Sequence, residues 1–169
     1  MLGRFILLLT LTSLSIGCHH SAASQSGEIV TSLARVKINT PTGAKATIPL
    51  GSGLTIINVF DEFSAGCPTG KRFETLEQFN SMHLSESRLL VIFSEKHFSS
   101  QDVENFKAIL PMSESMVQGD IEALRPHFIY GKLLVVVDSK GALVWHEKPD
   151  MSEQQILSEL SNLMNPVSK

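Results

Sequence analysis

The sequence predicts one α/β domain: a mixed β-sheet with helices on both faces, preceded by an N-terminal β-hairpin. Three patterns predict it. Runs of aliphatic and β-branched residues at 54–60, 89–93 and 133–137 have the continuous apolar character of strands buried on both faces. Apolar residues at helical spacing follow the first and second of these runs. After the third, a turn and a return strand lead into one more amphipathic helix. Alternating β and α elements that end in a hairpin and a helix give a layered mixed sheet.

The chain starts with a different kind of segment. Arg4 precedes an apolar run from Phe5 to Leu11, and a softer stretch ends in Ser15-Ile16-Gly17-Cys18. The run is shorter than the ~20 apolar residues of a membrane span and has the layout of a secretory signal. Gly17-Cys18 resembles the lipobox of bacterial lipoproteins, with Leu14 one place earlier than the commonest leucine. That resemblance implies a signal peptide over 1–17, a lipid on Cys18, and a membrane-anchored protein on the extracytoplasmic, periplasmic side of a bacterial cell envelope. Residues 18–35 read as a flexible lipid-anchored linker, Ser/Ala/Gln/Gly-rich at 21–27, and the folded domain spans 36–165.

Within that domain, 35–39 alternates polar and apolar residues as a strand does. Thr40-Pro41-Thr42-Gly43 is a turn signal, and 46–50 is the expected returning strand. The run 54–60 follows a Gly51-Ser52-Gly53 break. A helix is expected over 71–82, with Phe73, Leu76, Phe79 and Met82 on its apolar face and Arg72, Glu74, Glu77 and Gln78 away from it. Ser99 or Ser100 caps the next helix, which Pro111 ends. Residues 112–131 read as irregular, apart from one helical turn near 120–124. Asp138-Ser139-Lys140-Gly141 is a hairpin turn, and Ser152-Glu153-Gln154-Gln155 fits a capping box at the head of the last helix.

Charge excludes one class of function. Fourteen basic and seventeen acidic residues give −3 with no long block of either sign, so neither nucleic acid nor a polybasic membrane patch is suggested. Cysteine count restricts another. With Cys18 consumed by lipid, Cys67 is the only thiol, and an intrachain disulfide is impossible in the mature form.

From Lys45 to Met164 the chain resembles the thioredoxin-like superfamily, especially its extracytoplasmic reductase and peroxiredoxin branches. The residues that carry the resemblance are Ile57-Asn58-Val59-Phe60 with the loop to Cys67-Pro68, the stretch from Cys67 to Leu76, and Leu133 to Gly141. It implies a thioredoxin-like mixed sheet and a redox cysteine at Cys67. The departures bear on chemistry. Gly70 stands where thioredoxins have their second cysteine, so exchange within one chain is unavailable. No proline stands near Lys132, where the family's cis-proline is expected. Ser64 matches the hydroxyl place of peroxiredoxins, while Phe60 replaces their proline.

Cys67 is expected at a helix start, with Pro68 suited to the first helical position. Free N–H groups and the positive dipole end there favour a thiolate, the reactive form. Lys71 and Arg72 add positive charge one turn on, Asp61 and Glu62 oppose it if close, and Ser64 is a hydrogen-bond donor to sulfur or peroxide. The alternative is a small, inert cysteine with Lys71 and Arg72 as solvated surface. His97 follows a strand end, at the edge where sites gather in open α/β folds, and pairs with Cys67 only if the two are close. Met112, Met116 and Met151 read as core filler. No cofactor and no metal set is implied.

Two functions remain open. One is a tethered single-cysteine oxidoreductase working on a partner protein thiol or a peroxide through Cys67. The other is a degenerate thioredoxin-like domain that binds a protein or ligand at the envelope without redox chemistry.

Overall fold

A computed structural model describes residues 22–62, 69–83, 87–109 and 116–165, with backbone alone for 22–24, 69–71 and 109. The elements run α1 (Ala22–Leu33), β1 (Lys37–Asn39), β2 (Lys45–Ala46), β3 (Leu54–Phe60), α2 (Thr69–His83), β4 (Ser87–Ser94), α3 (Ser100–Ile109), β5 (Met116–Asp120), a 3-10 helix (Glu122–His127), β6 (Lys132–Val137), β7 (Leu143–His146) and α4 (Glu153–Met164).

The seven strands form one sheet in the order β2-β1-β5-β4-β3-β6-β7. Strands β3, β4 and β5 are parallel, joined by helical crossovers, and β6 runs antiparallel beside β3. Alternation along the strands sorts the core into two faces. Ile56, Phe60, Val91, Phe93, Leu134 and Val136 pack on one side with Phe73, Leu76 and Phe79 of α2, Val103 of α3, and Ile156 and Leu160 of α4. Ile57, Val59, Leu90, Ile92, Leu133 and Val135 pack on the other with Ile29 and Leu33 of α1 and Leu124 of the 3-10 helix. Helices therefore cover both faces, as the sequence predicts.

Four details differ from the sequence-based expectation. The linker expected over 18–35 is helical from Ala22, and the domain begins there rather than near Val36. Ile29 and Leu33, four residues apart, are buried against the sheet; that packing outweighs the weak helix propensity of the Ser/Gly-rich start. The hairpin is present, but its return strand is only Lys45–Ala46, with Ile38 opposite Ala46. Strand β5 lies in the stretch expected to be irregular. It is held by β4 on one side and β1 on the other, and Gly119 is needed there because a Cβ would meet the Lys37 carbonyl at 2.9 Å. Finally, α2 is rotated from its expected face: Arg72 is fully buried and Met82 is 53% exposed.

The capping box forms as expected. The Ser152 hydroxyl accepts from the Gln155 N–H, and the Gln155 side chain accepts from the Ser152 N–H.

Candidate functional site

The carboxyl ends of β3 and β4 make the edge that carries Asp61 and His97. An aromatic cluster floors it. The Phe60 ring, at the end of β3, lies 5.3 Å from Phe73 in the first turns of α2 and 5.7 Å from Phe93 of β4, and Phe93 meets Phe98 at 5.1 Å. These contacts seat the start of α2 over the end of β3.

Of the residues singled out from sequence, Cys18, Ser64 and Cys67 lie outside the described residues, as does the side chain of Lys71. Arg72 is described in full, and it does not face solvent. Its Nη1 and Nη2 donate to the two carboxylate oxygens of Glu147 at 3.0 and 2.8 Å, and its Nε donates to Glu153 at 2.9 Å. Lys132 Nζ stands 3.8 Å from Glu153. Burial disfavours the guanidinium charge, but hydrogen bonds to Glu147 and then Glu153, with their negative charges, outweigh it and raise the Arg72 pKa above the ordinary arginine value. Two cations are matched by two carboxylates. Arg72 therefore joins the first turn of α2 to the first turn of α4 and the chain after β7, and its charge is already matched by its own partners.

Asp61 does not act as a free negative charge either. Its carboxylate accepts from Arg125 Nη2, 2.9 Å from Oδ2, and its Oδ1 lies 3.2 Å from His97 Nδ1. The same Nδ1 is 2.9 Å from the Asp61 carbonyl oxygen. Arg125 Nε is 3.1 Å from Glu122, too poorly aligned for a hydrogen bond. The Asp61 N–H donates to the Gly131 carbonyl at 2.9 Å.

That carbonyl belongs to the turn entering β6. Ile129 and Lys132 exchange both backbone hydrogen bonds across Tyr130 and Gly131, whose φ values of 51° and 74° are those of a tight hairpin turn with a left-handed twist at both central positions. No proline and, among the described residues, no cis peptide bond occurs there. Tyr130 is 76% exposed. Asn58, fully buried in mid-β3, has no hydrogen-bond partner for its side chain among the described residues.

The other described histidines lie elsewhere: His127 bonds Ser32 on α1, the His83 ring packs tilted against Phe79, and His146 bonds the Glu147 carbonyl. Met116 is core. Among the described residues no group of three metal-ligating side chains converges, and no helix is long and apolar enough to cross a membrane.

Solved structures bear on the architecture. A thioredoxin-like protein from Porphyromonas gingivalis matches with a TM-score of 0.56 at 11% identity, covering 79% of this chain and 92% of its own. The fold is thioredoxin-like. A second thioredoxin-like protein, solved in its oxidised form, matches with a TM-score of 0.55 at 14% identity over 71% of this chain and 82% of its own. Copper-bound yeast Sco1 matches with 0.52 at 14% identity over 75% and 88%. Identities this low carry the fold alone. No protein-family model matches the sequence, and no curated protein matches it.

On this thioredoxin-like frame, sequence reasoning missed Glu147 and Glu153 as partners of Arg72, and Arg125 as the partner of Asp61. One signal was available for the first. Arg72, Leu76, Phe79 and His83 are spaced i, i+4, i+7 and i+11, which puts the arginine on the buried stripe.

Proposed function

We propose that this chain is a membrane-tethered thiol oxidoreductase of the bacterial envelope, acting through Cys67 alone on a partner protein thiol or disulfide or on a peroxide. The observation that carries the reading is the position of α2. The helix starts at Thr69, two residues after Cys67 in the chain, and its Phe73 packs on the end of β3. A fifteen-residue helix offers unpaired N–H groups at its start, which favour a thiolate. Arg72 adds little to this, because Glu147 and Glu153 already match its charge.

With no second cysteine at position 70, the cycle needs an external thiol. Cys67 attacks a partner's disulfide, forming a mixed disulfide as the partner's S–S bond breaks and one thiol leaves, or is oxidised to a sulfenic acid by a peroxide, whose O–O bond breaks to release water or an alcohol; a second thiol resolves either product. The lipid on Cys18 supplies the tether.

The test is the rate of Cys67 alkylation by iodoacetamide across pH. A midpoint well below ~8.5 supports the reading. An ordinary or protected thiol overturns it and leaves a non-catalytic binding domain, the reading that the neutralised Arg72 favours. In the native envelope, a disulfide adduct present in the wild type and lost in Cys67→Ser identifies the partner. Palmitate labelling that persists in Cys18→Ala would remove Cys18 as the lipid site.

A further inference from the structure

On the sheet face opposite α2 and α4 lies an open pocket of about 310 Å3. Ile57 of β3 and Val137 of β6 floor it, and both are buried. Leu33 at the end of α1 forms one wall. Ile48 and Leu50, in the stretch between β2 and β3, form the other. Leu50 is exposed, and its Cδ1 rests over Gly141, 3.4 Å from where a Cβ would stand. The volume is at the lower end of small-molecule sites. At about 30 Å3 per methylene-sized group, the share of one water in the liquid, it takes a chain of about ten atoms.

The polar lining selects among apolar ligands. Of the ten residues around the pocket only Lys140 is charged, and Thr47 has the only hydroxyl. Lys140 is exposed, and among the described residues its Nζ has no carboxylate partner. Asp138, in the same turn, is directed at the backbone: its Oδ1 accepts from the N–H groups of Lys140 and Ala142, each at 2.8 Å. The end of α1 is also satisfied. The carbonyls of Val30, Ser32 and Leu33 accept from the N–H groups of Ala34, Arg35 and Val36, so the helix end offers an anion little repulsion from bare carbonyls. An apolar slot with one unmatched cation at its rim is complementary to a single chain with one negative head.

We propose that this pocket binds a free medium-chain fatty acid, with its chain over Ile57 and Val137 and its carboxylate at Lys140. Burial of the methylenes supplies most of the affinity, and Lys140 supplies the preference for an anion. Nothing in this inference depends on Cys67.

The test uses the mature chain with Cys18→Ala, which lacks the proposed lipid site. Decanoate and decanol are titrated by calorimetry while methyl signals are followed by NMR. The expected result is one decanoate per chain, shifts at the Ile57 and Val137 methyls, and decanol binding about fivefold weaker. Lys140→Gln should bring decanoate to the decanol level. Ala34→Phe, at an exposed position of the α1 wall, should weaken both probes about tenfold or more with an unchanged urea midpoint. Thr47→Trp fills the same space from the opposite wall should Ala34→Phe fail to fold. Equal binding of the two probes assigns an uncharged ligand and overturns the proposal. Decanoate binding that Lys140→Gln leaves unchanged, that does not saturate, or that leaves the Ile57 and Val137 signals in place overturns it as well.

Discussion

The Arg72 cluster and the Asp61 cluster use the same chemistry, arginine on carboxylate, and differ in how much water reaches them. Arg72 is fully buried, with Glu147 4% exposed, and every charge in its cluster has an opposite partner. Asp61 is nearly buried, but Arg125 and His97 are each 34% exposed. Burial with complete pairing converts charge into architecture, since any change must leave an unpaired ion behind. Partial exposure leaves the Asp61 cluster in reach of water, where a change of charge costs less. The Arg72 cluster fastens the start of α2 to α4, and the Asp61 cluster joins the ends of β3 and β4 to the 3-10 helix.

The comparison is most easily broken at Arg72. Arg72→Met leaves Glu147 buried without its partner and should cost about 3–5 kcal/mol in urea unfolding; a loss under about 1 kcal/mol would mean that water reaches the cluster. Replacing both partners, Arg72→Met with Glu147→Leu, should recover most of that loss, because the penalty lies in the orphaned charge. An additive double mutant would argue against the pairing. Asp61→Asn keeps one acceptor oxygen, replaces the other with an NH2 donor, and removes the charge opposite Arg125 and His97. Solvent screening limits the expected cost to about 1 kcal/mol by the same measurement.

His97→Gln should change stability by less than about 0.5 kcal/mol; a larger loss would make His97 a structural residue like Arg72. The smallest effect lies outside both clusters, at Asp102 in the first turn of α3. Its exposed carboxylate is held below the usual range by the Ser99 hydroxyl, then by the Ser99 N–H. A depressed folded value means that this contribution is present above the unfolded value of ~3.9 and is lost as pH falls through the folded one. Carboxyl carbon NMR should place its midpoint below that of an ordinary aspartate, and a midpoint at or above it would remove the cap.

What was legible in the sequence follows the same division between local and distant causes. Strands β3, β4 and β6 were readable because burial on both faces writes a continuous apolar run, and α4 because its capping box is local. Strand β5, Met-Val-Gln-Gly-Asp, has no such run, and it exists because β1 and β4 flank it. Helix α1 depends on two buried residues in a sequence that looks like a linker. Cys67 was picked out by its flanking residues. The partners of Arg72 lie 75 and 81 residues away, and Asp61 meets Arg125 across 64. Separations of that size leave no mark on local pattern, so only topology brings the groups together.

Helix α1 also fixes how much slack a lipid anchor would have. It begins at Ala22, four residues beyond Cys18. Extended chain reaches at most ~3.6 Å per residue, so an acylated Cys18 would stand within ~14 Å of the first helical turn. A domain moored that closely would skim the phospholipid headgroups, and its natural encounters would be with proteins seated in the same leaflet rather than with molecules diffusing far from it.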